Sequence, residues 1–311
     1  MSDDIFHLRG SELVRLRSER YEAESLLQRL LAEHPDVLAS GSGGEPLLLV
    51  NREVPIADAE DGGGRWSIDH LFIDAAAIPT LVEVKRSTDT RIRREVVGQL
   101  LDYAAHATAY WSATTLQAAF AAACQGSGQD PDERLAEFLG FADDDGVFWK
   151  QVEDHLRAGR VRLVLVADEI PREVRRVLEF LNEQMSPAEA LAVEVKQYVS
   201  EGDERTLVPR RIGETRRGAD RRASSRGRWT LPEMLEDLRE RDLHQAATVA
   251  EHLAAELDDF AELIMNRGAT QGSFGVRLPT GTGQHAFLAT VRSTGQIMVA
   301  FNWLKRRAPF D

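Results

Sequence analysis

Cysteine is nearly absent from this sequence. Cys124 stands alone in an alanine-rich, helical run, which excludes an internal disulfide, a thiolate zinc site and a cysteine-held iron–sulfur cluster. Any metal must be held by oxygen or nitrogen. Long apolar runs are also missing: no stretch reaches the roughly 18 to 20 residues of a membrane-spanning helix. The opening Met1-Ser2-Asp3-Asp4 lacks the basic and apolar regions of a secretory signal, so a cytoplasmic protein with no membrane partner is expected. Nor is there a basic excess. With 38 basic and 51 acidic side chains the net charge is −13, which argues against a protein that coats nucleic acid non-specifically and leaves room for a local basic site. Lysine is scarce: Lys85, Lys150, Lys196 and Lys305 are the only four among 38 basic residues. A lysine at a site of chemistry is therefore notable, because a compact ammonium and a planar guanidinium are not interchangeable. No glycine stretch has the spacing of a nucleotide-phosphate loop or a dinucleotide site, so any cleavage by this chain is expected to be ATP-independent.

What is present is an ordinary globular composition, 43% hydrophobic and 29% charged over 311 residues, enough for one or two cores. Leu26, Leu27, Leu30 and Leu31 recur at helical spacing between Glu22 and His34, and Pro35 closes the run. Three strands follow, at Pro46–Val50, Ser67–Asp74 and Thr80–Lys85, and then a helix over Arg93–Tyr110. Further helices are expected at Leu116–Cys124, Pro131–Phe138 and Phe148–Arg157. Val161–Ala167 has the continuous apolar character of a buried strand, and it leads into a helix at Arg172–Met185 and a strand at Leu191–Val199. From Pro209 to Trp229 the composition turns to arginine, glycine and serine. The reading is a first domain over 1–212, a linker over 213–228, and a small α+β domain over 229–311. That last domain is expected to hold helices at Leu231–Arg241 and His244–Asn266, then a three-stranded antiparallel meander at Gly275–Leu278, Ala286–Val291 and Ile297–Trp303.

Asp69 and Glu83 fall on neighbouring strands with room for one turn between them, so their carboxylates can converge. Strand alternation puts Glu83 and Lys85 on one face. Hard oxygen ligands of this kind suit Mg²⁺ or Mn²⁺, which bind through one or two carboxylates, keep several waters and contact substrate phosphate. Phosphodiester hydrolysis uses that arrangement, with Lys85 positioning the nucleophile or stabilising the transition state. Gln99 and Tyr103 share a face of the next helix. Arg91, Arg93 and Arg94 cluster at its start, where peptide dipoles already favour anions. Glu24 lies on the apolar side of the first helix, where a carboxylate needs a metal or Lys85 as partner.

The order Glu24, Asp69, Glu83-Val84-Lys85 and Gln99-x-x-x-Tyr103 on an α-β-β-β-α-β framework resembles the PD-(D/E)XK nuclease superfamily, nearest in motif to its RecB-like branch. The resemblance covers roughly residues 20–212. Glu24–Gln28 through His34-Pro35 is similar, more weakly, to the opening helix of Shedu-type defence nucleases and archaeal mismatch endonucleases. The resemblance implies an α/β, restriction-endonuclease-like fold, a mixed sheet core flanked by helices, and Mg²⁺-dependent cleavage of DNA in repair or antiviral defence, endonucleolytic rather than exonucleolytic. Asp69, Glu83 and Val84 would be the metal ligands, Lys85 the catalytic lysine, Glu24 the helix-borne acid, Gln99 and Tyr103 active-site helix residues, and DNA would pass Arg91, Arg93 and Arg94. Ile68 stands where the superfamily's name has proline, and the cluster-clamping cysteines of some RecB-like exonucleases are absent.

Plainer readings stand beside these. Glu83 and Lys85 could be a cross-strand ion pair, Gln99 and Tyr103 packing residues, and the arginine cluster a solvated helix start. Glu194-Val195-Lys196 is a second Glu-x-Lys triplet on a strand, but lacks the preceding aspartate and the following helix pair. His70 faces away from Asp69 and reads as a packing or hydrogen-bonding histidine. Asp143-Asp144-Asp145 reads as a solvated loop. The alternative function is a catalytically inactive nucleic-acid- or partner-binding protein. For residues 229–311, target recognition, homodimer formation and binding of an unidentified protein partner all remain open.

Overall fold

The computed structural model describes residues 4–42, 45–57, 64–89, 95–143, 146–212, 229–257, 259–265, 272–279 and 285–305. Contacts divide the chain into two compact units, Met1–Ala119 with Gln151–Asp220, and Phe120–Lys150 with Arg221–Asp311. The boundary expected from sequence differs on one point: residues 120–150, assigned there to the first domain, belong with the C-terminal unit. The expected linker, 213–228, lies outside the described residues.

The first unit opens with an unexpected hairpin, β1 (Ile5–Arg9) and β2 (Glu12–Glu19), followed by α1 (Glu24–Glu33) and α2 (Pro35–Ser42). Next come β3 (Leu47–Ala57), β4 (Gly64–Asp74), β5 (Pro79–Lys85) and α3 (Val96–Tyr110). The chain then runs through α4 (Ala113–Gly126), α5 (Pro131–Leu139) and α6 (Val147–Arg157), of which residues 120–150 belong to the second unit, and returns to the first for β6 (Arg162–Ala167), α7 (Arg172–Gln184), β7 (Glu189–Val199) and β8 (Arg205–Ile212). The strands form one mixed eight-stranded sheet. β3, β4 and β5 are antiparallel neighbours, and β5, β6 and β7 run parallel. β6, parallel to a neighbour on both edges, is the apolar run Leu163–Ala167, and every residue of β5 and β6 is buried, including Glu83 and Lys85. β8 takes one edge of β7 from Ala192 to Val199. On its other edge β7 pairs with β6 up to Glu194, and β2 takes the positions beyond, Gln197 to Val199. The β1–β2 hairpin therefore extends the sheet past the C-terminal end of β6.

Helix α1 docks through Leu27 and Leu31, one turn apart and without solvent exposure, into a core of Phe72, Val82, Val84, Val164, Val166, Leu191 and Val193. Each such side chain contributes about 1.5–3 kcal/mol by leaving water. The helix ends at His34 because the residue before Pro35 is pushed out of helical geometry. At the N-terminal end of β6, the buried Arg162 holds Asp74 at 3.1 Å and Glu189 at 3.2 Å, tying β4, β6 and β7 together.

The second unit contains α8 (Leu231–Glu240), α9 (His244–Leu257), β9 (Glu262–Met265), β10 (Ser273–Pro279), β11 (His285–Arg292), β12 (Ile297–Val299) and α10 (Phe301–Leu304). Its antiparallel sheet has four strands in the order β12-β11-β10-β9, not three. Helix α9 stops at Leu257, so the residues expected to extend it to Asn266 instead include β9. Of the strand expected at Ile297–Trp303, Ile297–Val299 is β12 and the residues from Phe301 on lie in the helical turn Phe301–Leu304. Helix α8 starts at a reciprocal cap: Glu233 accepts from the Thr230 N–H at 2.8 Å and donates its own N–H to the Thr230 hydroxyl. Gly140 closes α5 in the left-handed conformation, and a side chain there would collide with Ile264 of β9.

Candidate active site

The β4–β5 ladder ends at His70–Val82. One residue further the Asp69 side chain takes over: its Oδ2 accepts the Val84 N–H at 2.7 Å, while Oδ1 accepts from Gln28 Nε2 of α1, also at 2.7 Å. Two residues along β5 lie Glu83 and Lys85 on one face, as strand alternation requires. Lys85 Nζ donates to Glu83 Oε1 at 2.5 Å and to the Val84 carbonyl at 3.1 Å. Glu24, at the start of α1, approaches the same ammonium at 3.8 Å. The structure thus gathers Glu24, Asp69, Glu83 and Lys85 into one cluster, with three carboxylates to one cation.

Burial dominates the electrostatics. Glu83 is 1% and Lys85 6% exposed. Glu83 Oε2 is buried with no hydrogen-bond partner. Desolvation, then the charge of Asp69, pushes the Glu83 carboxyl up to about 7. Asp69 rises to about 6, again chiefly through burial, opposed by the Val84 N–H and Lys85. Burial alone would lower the Lys85 ammonium, but Glu83, Glu24 and Asp69 outweigh it and hold it above the ordinary lysine value.

Gln99 and Tyr103 of α3 also reach this region. Gln99 Nε2 donates to the Tyr103 hydroxyl, which donates in turn to the Ser67 carbonyl at 3.1 Å, two residues before Asp69. Burial, followed by the charge of Glu83, raises the Tyr103 phenol, so it stays protonated. Arg91, Arg93 and Arg94 lie outside the described residues. His70 is fully buried, stacks on Phe72 and donates from Nε2 to the Gln28 carbonyl at 2.8 Å. Burial pushes it down to about 4, leaving a neutral ring that pins α1 to β4. The competing Glu194 accepts the Ile170 N–H at 3.1 Å, bracing the loop after β6.

Sequence reasoning missed three contributors. Gln28 was read only as part of an amphipathic helix, although a polar residue one position after Leu27 borders the buried stripe. Arg86 Nη1 donates to the Glu22 carbonyl at 2.6 Å and the Tyr21 carbonyl at 3.3 Å, fixing the entry to α1 and hence Glu24. Asp168 accepts the Ser87 N–H at 2.6 Å and its hydroxyl at 3.0 Å, locking the turn after Lys85 to the end of β6. Ser87 also borders a cleft of about 320 Å³ lined by Arg20 and Arg172 together with Glu169 and Glu173.

Among the described residues no group of three or more histidine, cysteine, aspartate or glutamate side chains is disposed to hold a metal ion. The donors on offer are the carboxylates of Asp69 and Glu83 and the main-chain oxygen of Val84. That set is small, but it fits a hard divalent cation that keeps waters and shares phosphate oxygens. The orphaned Glu83 Oε2 and the raised carboxyls are what such a cation would relieve.

No family model matches this sequence, and no curated protein does. Among solved structures, the chain is similar to the crystal structure of a repair endonuclease from Pyrococcus abyssi, over 60% of this chain and 63% of that one, at 15% identity and a TM-score of 0.26. A likeness at that TM-score carries no argument about chemistry. The fold itself is a mixed α/β sheet flanked by helices, with a separate small antiparallel sheet.

Proposed function

We propose that this chain is a divalent-cation-dependent nuclease that hydrolyses DNA phosphodiester bonds, acting in repair or in defence against foreign DNA. The observation that carries the reading is the excess of carboxylate, buried Glu83 with half-buried Asp69 and Glu24, around Lys85, the one cation of the cluster among the described residues, with Glu83 Oε2 unsatisfied. A purely structural ion pair would match one charge with one, because an uncompensated buried charge costs several kcal/mol.

Asp69, Glu83 and the Val84 carbonyl would hold Mg²⁺ or Mn²⁺. Such a cation offsets charge on the phosphate and makes a water more acidic. The chain's own residues do the rest. Gln28 and the Val84 N–H fix the Asp69 carboxylate in place before substrate arrives, so little reorganisation is needed. Lys85, kept protonated by its neighbours, cannot serve as a general base near neutral pH. It presents a fixed positive charge to the phosphate oxygens as negative charge accumulates on them. Tyr103, protonated and tethered by Gln99, holds α3 against the strand that bears Asp69.

The direct test incubates purified protein with supercoiled, linear and single-stranded DNA in Mg²⁺, Mn²⁺ or EDTA, alongside Asp69→Ala and Lys85→Ala. Cutting that needs the metal and disappears in both variants is expected. Cutting that survives EDTA or either substitution refutes the assignment, and salt-dependent binding without cutting favours a DNA-binding protein on the same framework.

A further inference from the structure

Strand β1 is a free sheet edge. Among the described residues it pairs only with β2, in unbroken register from Ile5 opposite Leu16 to Arg9 opposite Glu12. It is five residues long and carries no lysine, proline or bulge, three of the devices that keep such an edge from pairing; its one charge, Arg9, is at its end. The hairpin also presents an apolar face: Phe6, Leu8 and Leu13 are 59%, 65% and 62% exposed. They lie together, since Phe6 and Leu8 alternate onto one side of β1 and Leu13 is directly opposite Leu8.

Charge decides what can pair with this edge. Residues 4–19 contain Arg9, Arg15 and Arg17 against Asp4, Glu12 and Glu19, a local balance of zero in a chain of net −13. Each arginine is already engaged: Arg9 with Glu204 at 2.6 Å, Arg15 with Asp4, and Arg17 with Glu201 at 3.5 Å. Engaged guanidinium groups are poor ligands for a phosphate backbone. Glu201 and Glu204, drawn in by these pairs, leave the hairpin surface slightly acidic, which disfavours a phosphate backbone, whereas Ile5–Arg9 itself carries one charge, the paired Arg9; a second copy of β1 therefore meets no like charge opposite it, and a twofold interface requires that kind of self-complementarity.

We propose that β1 is a homodimer interface, in which the β1 strands of two copies pair antiparallel about a twofold axis at His7. In this register His7 faces His7 of the second copy, Ile5 faces Arg9, and Phe6 faces Leu8. Directly opposed residues of antiparallel strands share a face, so Phe6, Leu8 and Leu13 of both copies form one continuous apolar patch, and two eight-stranded sheets become one. The inference does not depend on the catalytic assignment.

Sedimentation velocity on the full chain at micromolar concentration tests it. The expected species has twice the 34.7 kDa chain mass, and the double variant Phe6→Asp, Leu8→Asp is monomeric with an unchanged circular dichroism spectrum. Should that variant fail to fold, the register gives an independent readout. His7→Cys is expected to form an intermolecular disulfide under mild oxidation, because opposed Cα atoms lie about 4.5–5.5 Å apart, within disulfide reach. Ile5→Cys, which faces Arg9, is expected not to, and Cys124 is buried and stays silent. A monomeric wild type, a dimer that survives the double variant, or cross-linking through Ile5→Cys and not His7→Cys overturns the proposal. A monomer whose DNA affinity falls in the double variant overturns it in favour of a nucleic-acid contact.

Discussion

At the scale of the residue, Lys85 has two opposed effects on the site. Its ammonium partly neutralises Glu24, Asp69 and Glu83, and so competes with any divalent cation for the same carboxylates. It also supplies the positive charge that a pentavalent phosphate would need. Lys85→Ala is therefore expected to bind Mg²⁺ more tightly by calorimetry while cutting DNA at least about 100-fold more slowly. Weaker metal binding together with slower cutting would mean that Lys85 only holds the site together. The carboxylates give a pH signature. Asp69 and Glu83 titrate near 6 and 7 in the folded chain, burial being the main cause, and near about 4 when unfolded. Between those values the folded state retains protons that the unfolded chain has lost. This contribution to stability is complete below the unfolded value and is lost as the pH climbs through the folded values. Without metal, the melting temperature is expected to fall by on the order of 2 °C between about pH 6.5 and pH 8, above the range in which the neutral, buried His70 acts with the opposite sign. Mg²⁺ should restore more of it at the higher pH. Glu83→Gln should flatten the pH dependence and abolish most of the Mg²⁺ effect, and equal Mg²⁺ stabilisation of wild type at both pH values would rule this account out.

At the scale of the element, α1 separates stability from chemistry within two adjacent residues. Leu27 is packed in the core, and Leu27→Ala is expected to cost about 2–5 kcal/mol by chemical denaturation. Gln28 is only half-buried but orients Asp69, so Gln28→Ala should leave the denaturation midpoint nearly unchanged while weakening metal binding or cutting by about 10- to 100-fold. Reversal of these two effects would show that α1 is merely a packing helix. The elements that bear the site were legible because their periodicity is unambiguous: Leu26, Leu27, Leu30 and Leu31 for α1, and the apolar runs of β5 and β6. The ones that escaped lack that contrast. In β2 the sequence Glu12-Leu13-Val14-Arg15-Leu16-Arg17 alternates only in part, and of its three apolar residues Leu16 alone is buried, so it resembles a polar loop. β8 contains Pro209 and three arginines, tolerable only on an edge. No glycine or proline separates α9 from β9, and nothing near residue 120 marks a change of domain. The close packing of Gly140 against Ile264 reveals that change only in three dimensions. Gln28, Arg86 and Asp168 act through side chains and main-chain atoms far apart in sequence, which no local spacing encodes.

At the scale of the molecule, the hairpin and the carboxylate–lysine cluster lie at the same end of the sheet. Lys85, the last residue of β5, is opposite Ala167, the last residue of β6, and β2 continues along β7 just past that point. Joining two copies through β1 therefore brings two clusters to one composite surface. A single nuclease site can attack one strand at a time, and after the first cut a monomer must release and rebind to reach the complementary strand. A twofold pair offers a second site to that strand within the same encounter, at a high effective concentration. With supercoiled plasmid in Mg²⁺, the wild type is expected to yield linear DNA with little accumulation of nicked circles. The Phe6→Asp, Leu8→Asp variant changes no residue of the cluster, so it should retain the rate of first-strand cutting and accumulate nicked circles before linear product appears. Time courses resolved on agarose measure both rates. Identical product order in the wild type and the variant, with the variant shown to be monomeric, would mean that the sites act independently and that dimerisation has no part in the outcome of cleavage.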